Sequence, residues 1–109
     1  MRKVYKRWPD AAERMATVTL DFRGYETMKT RLAINRIDYL PELSRIRVPA
    51  MCAVGSISWP LSVPYMQKTA DALPGCKQLH VIEDAYDPSN LCQVEVFNRL
   101  FGTFLRTVV

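Results

Sequence analysis

Between Ile46 and Asp87 the apolar and polar positions alternate in blocks that read strand, helix, strand. Ala50 to Val54 is an unbroken apolar run, the pattern of a strand covered on both faces. Gly55 closes it. Pro49 has no N–H to give to a ladder, so it fits the first position of that strand. Leu79 to Ile82 is a second strand. About twenty residues lie between the two, enough for the helical crossover that parallel strands require. Such a crossover is expected to be right-handed. Ser62 suits the N-cap of the intervening helix, with Pro64 just inside it. Met66, Thr69, Ala70 and Leu73 supply its inner stripe, and Pro74-Gly75 ends it.

The flanks are helical in period. Trp8-Pro9-Asp10 predicts a turn into a short helix with Ala11, Ala12, Met15 and Ala16 on its apolar side. Thr17 to Leu20 fits either a continuation or a local third strand. A second helix is expected from about Asp21 to Arg36, striped by Phe22, Tyr25, Met28 or Lys29, and Leu32. Gly24 weakens its start. A polar turn from Glu83 to Asn90 precedes the last helix, which should begin near Leu91. There Val94, Phe97, Phe101, Phe104 or Leu105, and Val108 recur at three and four, the strongest helical period in the chain. These are expected to be core residues, with Gly102 the weak spot.

Composition narrows the class. The 109 residues suit one small domain, and 49% apolar content argues against disorder. No apolar stretch approaches the roughly 20 residues of a membrane helix. The basic first residues are not followed by a secretory apolar segment. A soluble, cytoplasmic protein is therefore expected. Three cysteines, Cys52, Cys76 and Cys92, lack close spacing and read as reduced, packed thiols. With one histidine there is no Cys/His metal pattern, and no cofactor motif is present. The net charge of +4 is uneven: residues 1–50 hold eleven Lys/Arg against six Asp/Glu, the remainder four against five. That excess reads as a solvated face; the alternative is a basic module using residues 2–14 and 23–36 on an anionic partner. No nucleic-acid fold is recognisable.

The stretch Leu43-Ser44-Arg45-Ile46-Arg47-Val48-Pro49-Ala50-Met51-Cys52-Ala53-Val54-Gly55 resembles the strand before the acid loop of α/β-hydrolases. The helix ending Ala72-Leu73-Pro74-Gly75 looks like the family's next element. Ala85-Tyr86-Asp87-Pro88-Ser89-Asn90-Leu91-Cys92-Gln93-Val94-Glu95-Val96-Phe97-Asn98 is similar to the loop and helix that carry its catalytic histidine. Phe101-Gly102-Thr103-Phe104-Leu105 matches its closing helix. Asp21 to Leu43 looks like the end of a cap domain. The resemblance implies a partial α/β-hydrolase-like α/β fold, with residues 1–42 as a helical, cap-like segment and 43–109 as the C-terminal part of the core.

The resemblance also implies a Ser-His-Asp triad cleaving an ester, lactone, amide or similar bond, and here the residues depart from it. Ser58 stands where the family acid follows the glycine, and Asp87 where the histidine belongs, with Tyr86 in place of a glycine. No Gly-x-Ser-x-Gly elbow occurs, and the Gly-rich oxyanion loop is missing too. A serine nucleophile needs an oriented base poised near neutral pH. Aspartate, with an ordinary pKa of about 3.9, is a weak one.

Ser56, Ser58, Trp59, Tyr86 and Asp87 remain candidate binding residues, because α/β folds place ligands at the carboxyl ends of strands. Four of them have a plainer role. Ser56 and Ser58 suit a turn, Asp87 an N-cap with Pro88 at the first helical position, and Trp59 a seal over the core. His80 falls inside the second strand as a packed or edge-facing ring.

Two parallel strands make a poor sheet, and a bare edge invites pairing. The leading expectation is a catalytically inactive, hydrolase-like binding or assembly element, a pseudoenzyme or fragment that forms a homo-oligomer or docks on a partner chain completing the sheet. The alternative is a subunit of a hydrolase whose nucleophile comes from a partner chain.

Overall fold

The computed structural model describes residues 6–20, 24–34, 36–59 and 62–109. The chain divides into two compact units, Met1–Tyr39 and Leu40–Val109.

The first unit is helical. α1 spans Pro9–Leu20 and α2 spans Gly24–Ile34. Pro9 opens α1, where a missing N–H costs nothing, and Asp10 places a negative charge against the helix's positive end. Ala12 is buried, as its stripe position requires. Thr17 to Leu20 forms the last turn of α1 and not a third strand. Intrinsic β preference in Val18 and Thr19 yields to the helix already propagating from Pro9. In α2 the anticipated stripe is not covered: Met28 and Leu32 are both exposed. The start of that predicted helix at Asp21 and Phe22 lies outside the described residues.

The second unit holds the sheet. After a single turn, α3 (Leu40–Leu43), come β1 (Ala50–Gly55), α4 (Val63–Ala72), β2 (Cys76–Ile82), α5 (Ser89–Cys92) and α6 (Val94–Val108). β1 and β2 are parallel neighbours, with Cys52 opposite Leu79, Val54 opposite Val81 and Gly55 opposite Ile82. The fold of this unit is thus mixed α/β around one strand–helix–strand crossover. β2 starts three residues before the apolar run, at Cys76, because Lys77 and Gln78 are exposed strand residues and leave no apolar signal. The register shifts between Ala50 and Cys52 to absorb an extra residue on β2.

α4 lies against both strands. Pro64 sits in its first turn, and Ser62 occupies the N-cap position without a side-chain cap bond. Ala70 is the buried point of its stripe, while Met66, Thr69 and Leu73 are half-buried. The core is small: Cys52 and Val54 of β1, Ala70 of α4, Ile82 of β2 and Ala85.

The predicted last helix is two. α5 stops at Gln93, whose φ of −128° and ψ of 65° are non-helical, and α6 begins at the next residue. Gln93 is held out of line by its own carboxamide, which donates to the Asp84 carbonyl oxygen at 3.1 Å. Pro88, and not Asp87, takes the N-cap position of α5. A residue preceding proline is steered away from helical geometry, so the helix starts later. α6 has no buried residue, contrary to its expected core role. Val94, Phe101, Leu105 and Val108 are exposed, although Phe97 and Phe101 stack with centroids 6.1 Å apart.

Gly102 faces open space. A Cβ there would meet only the Arg106 guanidinium at 3.7 Å. Gly102→Ala should therefore stabilise the protein by about 1 kcal/mol, because alanine removes unfolded-state entropy at no steric cost. Urea unfolding followed by circular dichroism measures it; a loss of stability would mean that Gly102 does not face open space.

Candidate functional site

At the carboxyl ends of the strands two loops are tied together. Backbone pairing continues one step past the sheet: the Ser56 N–H donates to the Ile82 carbonyl oxygen at 2.9 Å, and Ile57 N–H to that of Ala85 at 3.2 Å. The loop after β1 then folds on itself, Ser58 N–H donating to Gly55 oxygen at 3.1 Å. Gly55 allows this close approach. A Cβ at that position would lie inside the radius of the Ala85 carbonyl oxygen and 2.8 Å from Ser58 Oγ.

Ser56 uses its hydroxyl structurally, accepting the Asp84 N–H at 3.0 Å. Asp84 has a φ of 56°, in the left-handed region that aspartate tolerates better than most residues. Its carbonyl receives the Gln93 carboxamide, so one residue links the first loop, the second loop and the helix break. Sequence reasoning passed over Asp84 and Gln93. The available signal was an aspartate within a polar turn, suited to left-handed backbone.

Ser58 is buried. Tyr86 and Asp87 are half-buried at the second loop. Trp59 is 73% exposed and does not form the seal expected of it. Cys92 joins this corner. Burial pushes its thiol pKa up, the neighbouring Asp87 and Asp84 carboxylates add to that, and a backbone hydrogen bond with Tyr86 opposes it. A thiol held protonated at neutral pH is a poor nucleophile. Cys52 is driven the same way, to about 11, by burial and by the adjacent Cys76 thiol.

The site thus gathers Ser56, Ser58, Tyr86, Asp84 and Asp87, with Trp59 standing out into solvent. It does not include the histidine. His80 sits inside β2 opposite Ala53, with Nδ1 3.5 Å from the Gln78 carboxamide. It lines a separate cleft at the other end of the sheet. Acyl transfer by serine needs a base within hydrogen-bond reach of the hydroxyl. The Ser56 hydroxyl is instead engaged with backbone. Among the described residues no group of three or more His, Cys, Asp or Glu side chains gathers to hold a metal ion. No described helix is long and apolar enough to cross a membrane.

The edge of β1 away from β2 is the second notable feature. Ala50 and Ser56 both donate toward β2. Backbone direction alternates along a strand, so Met51 and Ala53 point their N–H and C=O groups the other way. Among the described residues no hydrogen bond reaches those groups. Exposed apolar side chains bracket the strand, Ile46 and Val48 before it and Ile57 and Trp59 after it.

No protein-family model, curated protein or solved structure matches this chain.

Proposed function

We propose that the chain is an α/β-hydrolase-like element without catalytic activity of its own, which works by assembly through the outer edge of β1. The observation that carries this is the backbone of Met51 and Ala53, without a partner among the described residues, in the better buried of two strands. Unmatched N–H and C=O groups on a short sheet favour pairing with another strand. A two-fold axis beside β1 would join two copies into one four-stranded sheet, with the same residues contributed by each. Ile46, Val48, Ile57 and Trp59 would then supply apolar contact at both ends of the joint. The absence of catalysis follows from Ser58 and Asp87 at the positions where the family resemblance puts its acid and its histidine.

Light scattering on the eluting protein should give a dimer or larger species, and a chromogenic ester should not be hydrolysed above background. Ala53→Pro should convert the assembly to monomer while helical circular dichroism persists. Proline removes the outward N–H of an edge position without taking a bond from the β1–β2 ladder. A monodisperse native monomer at about 100 μM, a concentration where even weak specific dimers form, would defeat the assembly role. Hydrolysis that survives purification would defeat the inactive one. Stoichiometric co-purification with a different chain that restores a third strand would replace self-pairing with hetero-pairing.

A further inference from the structure

The other end of the sheet carries a cleft that shares Met51 with the proposed assembly edge and otherwise lies apart from it. It has a volume of about 590 Å³ and lies between the starts of both strands and the second half of α6. Small-molecule sites typically measure roughly 300–1,000 Å³ and are walled by apolar groups with a few polar ones. Met51, Leu100 and Phe104 form apolar wall here. The polar groups have one sign. Arg47 and Lys77 stand at the cleft with His80, and no acidic residue lines it.

The two cations are uncommitted. Neither the Arg47 nor the Lys77 side chain makes a hydrogen bond or ion pair among the described residues. Arg45, two positions earlier, is by contrast paired with Glu42 at 2.7 Å. Both cleft cations are exposed, which puts them at its rim above the apolar walls. Gln78, Thr103 and Thr107 add neutral hydrogen-bonding groups around the opening.

We propose that this cleft binds a small amphipathic anion, a carboxylate carried on an apolar chain. The chain would lie against Met51, Leu100 and Phe104, where it removes apolar surface from water. The carboxylate would meet Arg47 and Lys77, the guanidinium offering paired N–H groups matched to two oxygens. A bare inorganic anion uses none of the apolar wall. A hydrophobic cation meets two like charges. The volume is that of a small-molecule site and not of a docked helix.

Dodecanoate, kept below its micelle concentration, is the probe, titrated calorimetrically into the full chain. Acetate and dodecyltrimethylammonium are the controls. Dodecanoate should bind saturably at one per chain, and neither control should bind. Adding salt should weaken the dodecanoate isotherm, because rim charges are screened. The exposed double variant R47E/K77E should weaken binding about tenfold or more, a change of about 1.4 kcal/mol. Thr103→Trp, at another exposed lining position, should block the cleft. In heteronuclear spectra dodecanoate should move the Met51 methyl and His80 ring signals and leave the Trp59 indole in place.

Equal binding of the cationic surfactant, an unchanged affinity in R47E/K77E, or displacement of the Trp59 signal would each overturn the proposal. So would no binding of dodecanoate at about 1 mM, the weak end of measurable affinities. If the double variant does not fold, the salt dependence and the two controls on the native chain decide. The binding isotherm and the scattering mass are separate readouts, so failure here leaves the β1 edge standing, and the reverse.

Discussion

Gly55→Ala should destabilise the protein by about 3 kcal/mol, the upper part of the range for forcing atoms into filled space. The obstacle is backbone, not a side chain that can swing aside. A methyl at Gly55 would run into the Ala85 carbonyl oxygen and lie 2.6 Å from its carbon. That same oxygen accepts the Ile57 N–H at 3.2 Å. Relieving the overlap therefore moves an acceptor away from its donor, which adds about 1 kcal/mol of its own. For a unit of this size the unfolding midpoint should fall by at least about 12 °C. Gly102→Ala, the identical chemical change on α6, should move the midpoint upward. Two opposite signs from one substitution type would test the packing directly. A loss below about 1 kcal/mol at Gly55 would show that the loops at the strand ends are not in contact as described.

Ile82→Ala should cost about 3 kcal/mol, within the range for truncating a buried isoleucine. Ile82 is 1% exposed, the largest fully buried side chain among the described residues, and it sits opposite Gly55 at the end of the ladder. Its neighbour Val81 is 40% exposed. Val81→Ala should cost under about 1 kcal/mol. The contrast between adjacent residues reads the strand's period of two. A reversed order, with Val81→Ala the costlier change, would mean that β2 has slipped by one position, which exchanges its faces. Denaturant midpoints for the pair, with unchanged slopes, supply the measurement.

Strand, helix and strand were legible because each is bounded by residues with one dominant backbone preference. Pro49 and Gly55 bracket the β1 run, Pro64 opens α4, and Pro74-Gly75 closes it. Where no such residue stands, the reading slipped. The extra length of β2 lies in Cys76 and in Lys77 and Gln78, polar residues at the register shift between Cys76 and Leu79, where no apolar pattern marks a strand. Thr17 to Leu20 has β-branched residues whose preference helix propagation outweighs. The break at Gln93 depends on a side chain reaching back nine residues to Asp84, which no periodicity records. The stripe of α6 has the strongest period in the chain, yet period reports amphipathicity and not whether a partner covers it. At the candidate site the loop positions were legible and the bonds were not. Ser56 was identified as a turn residue, but its clasp on Asp84 spans 28 positions of sequence.

The last helix bears one further consequence. A rod of 15 residues with nothing fully enclosed is held to the body by half-contacts alone. Its release exposes little new apolar area, so it needs only a fraction of the work of melting the sheet. Amide protons along Val94–Val108 should trade with solvent deuterium through that partial detachment, ahead of those at Cys52 and Val54, which wait for the whole unit to come apart.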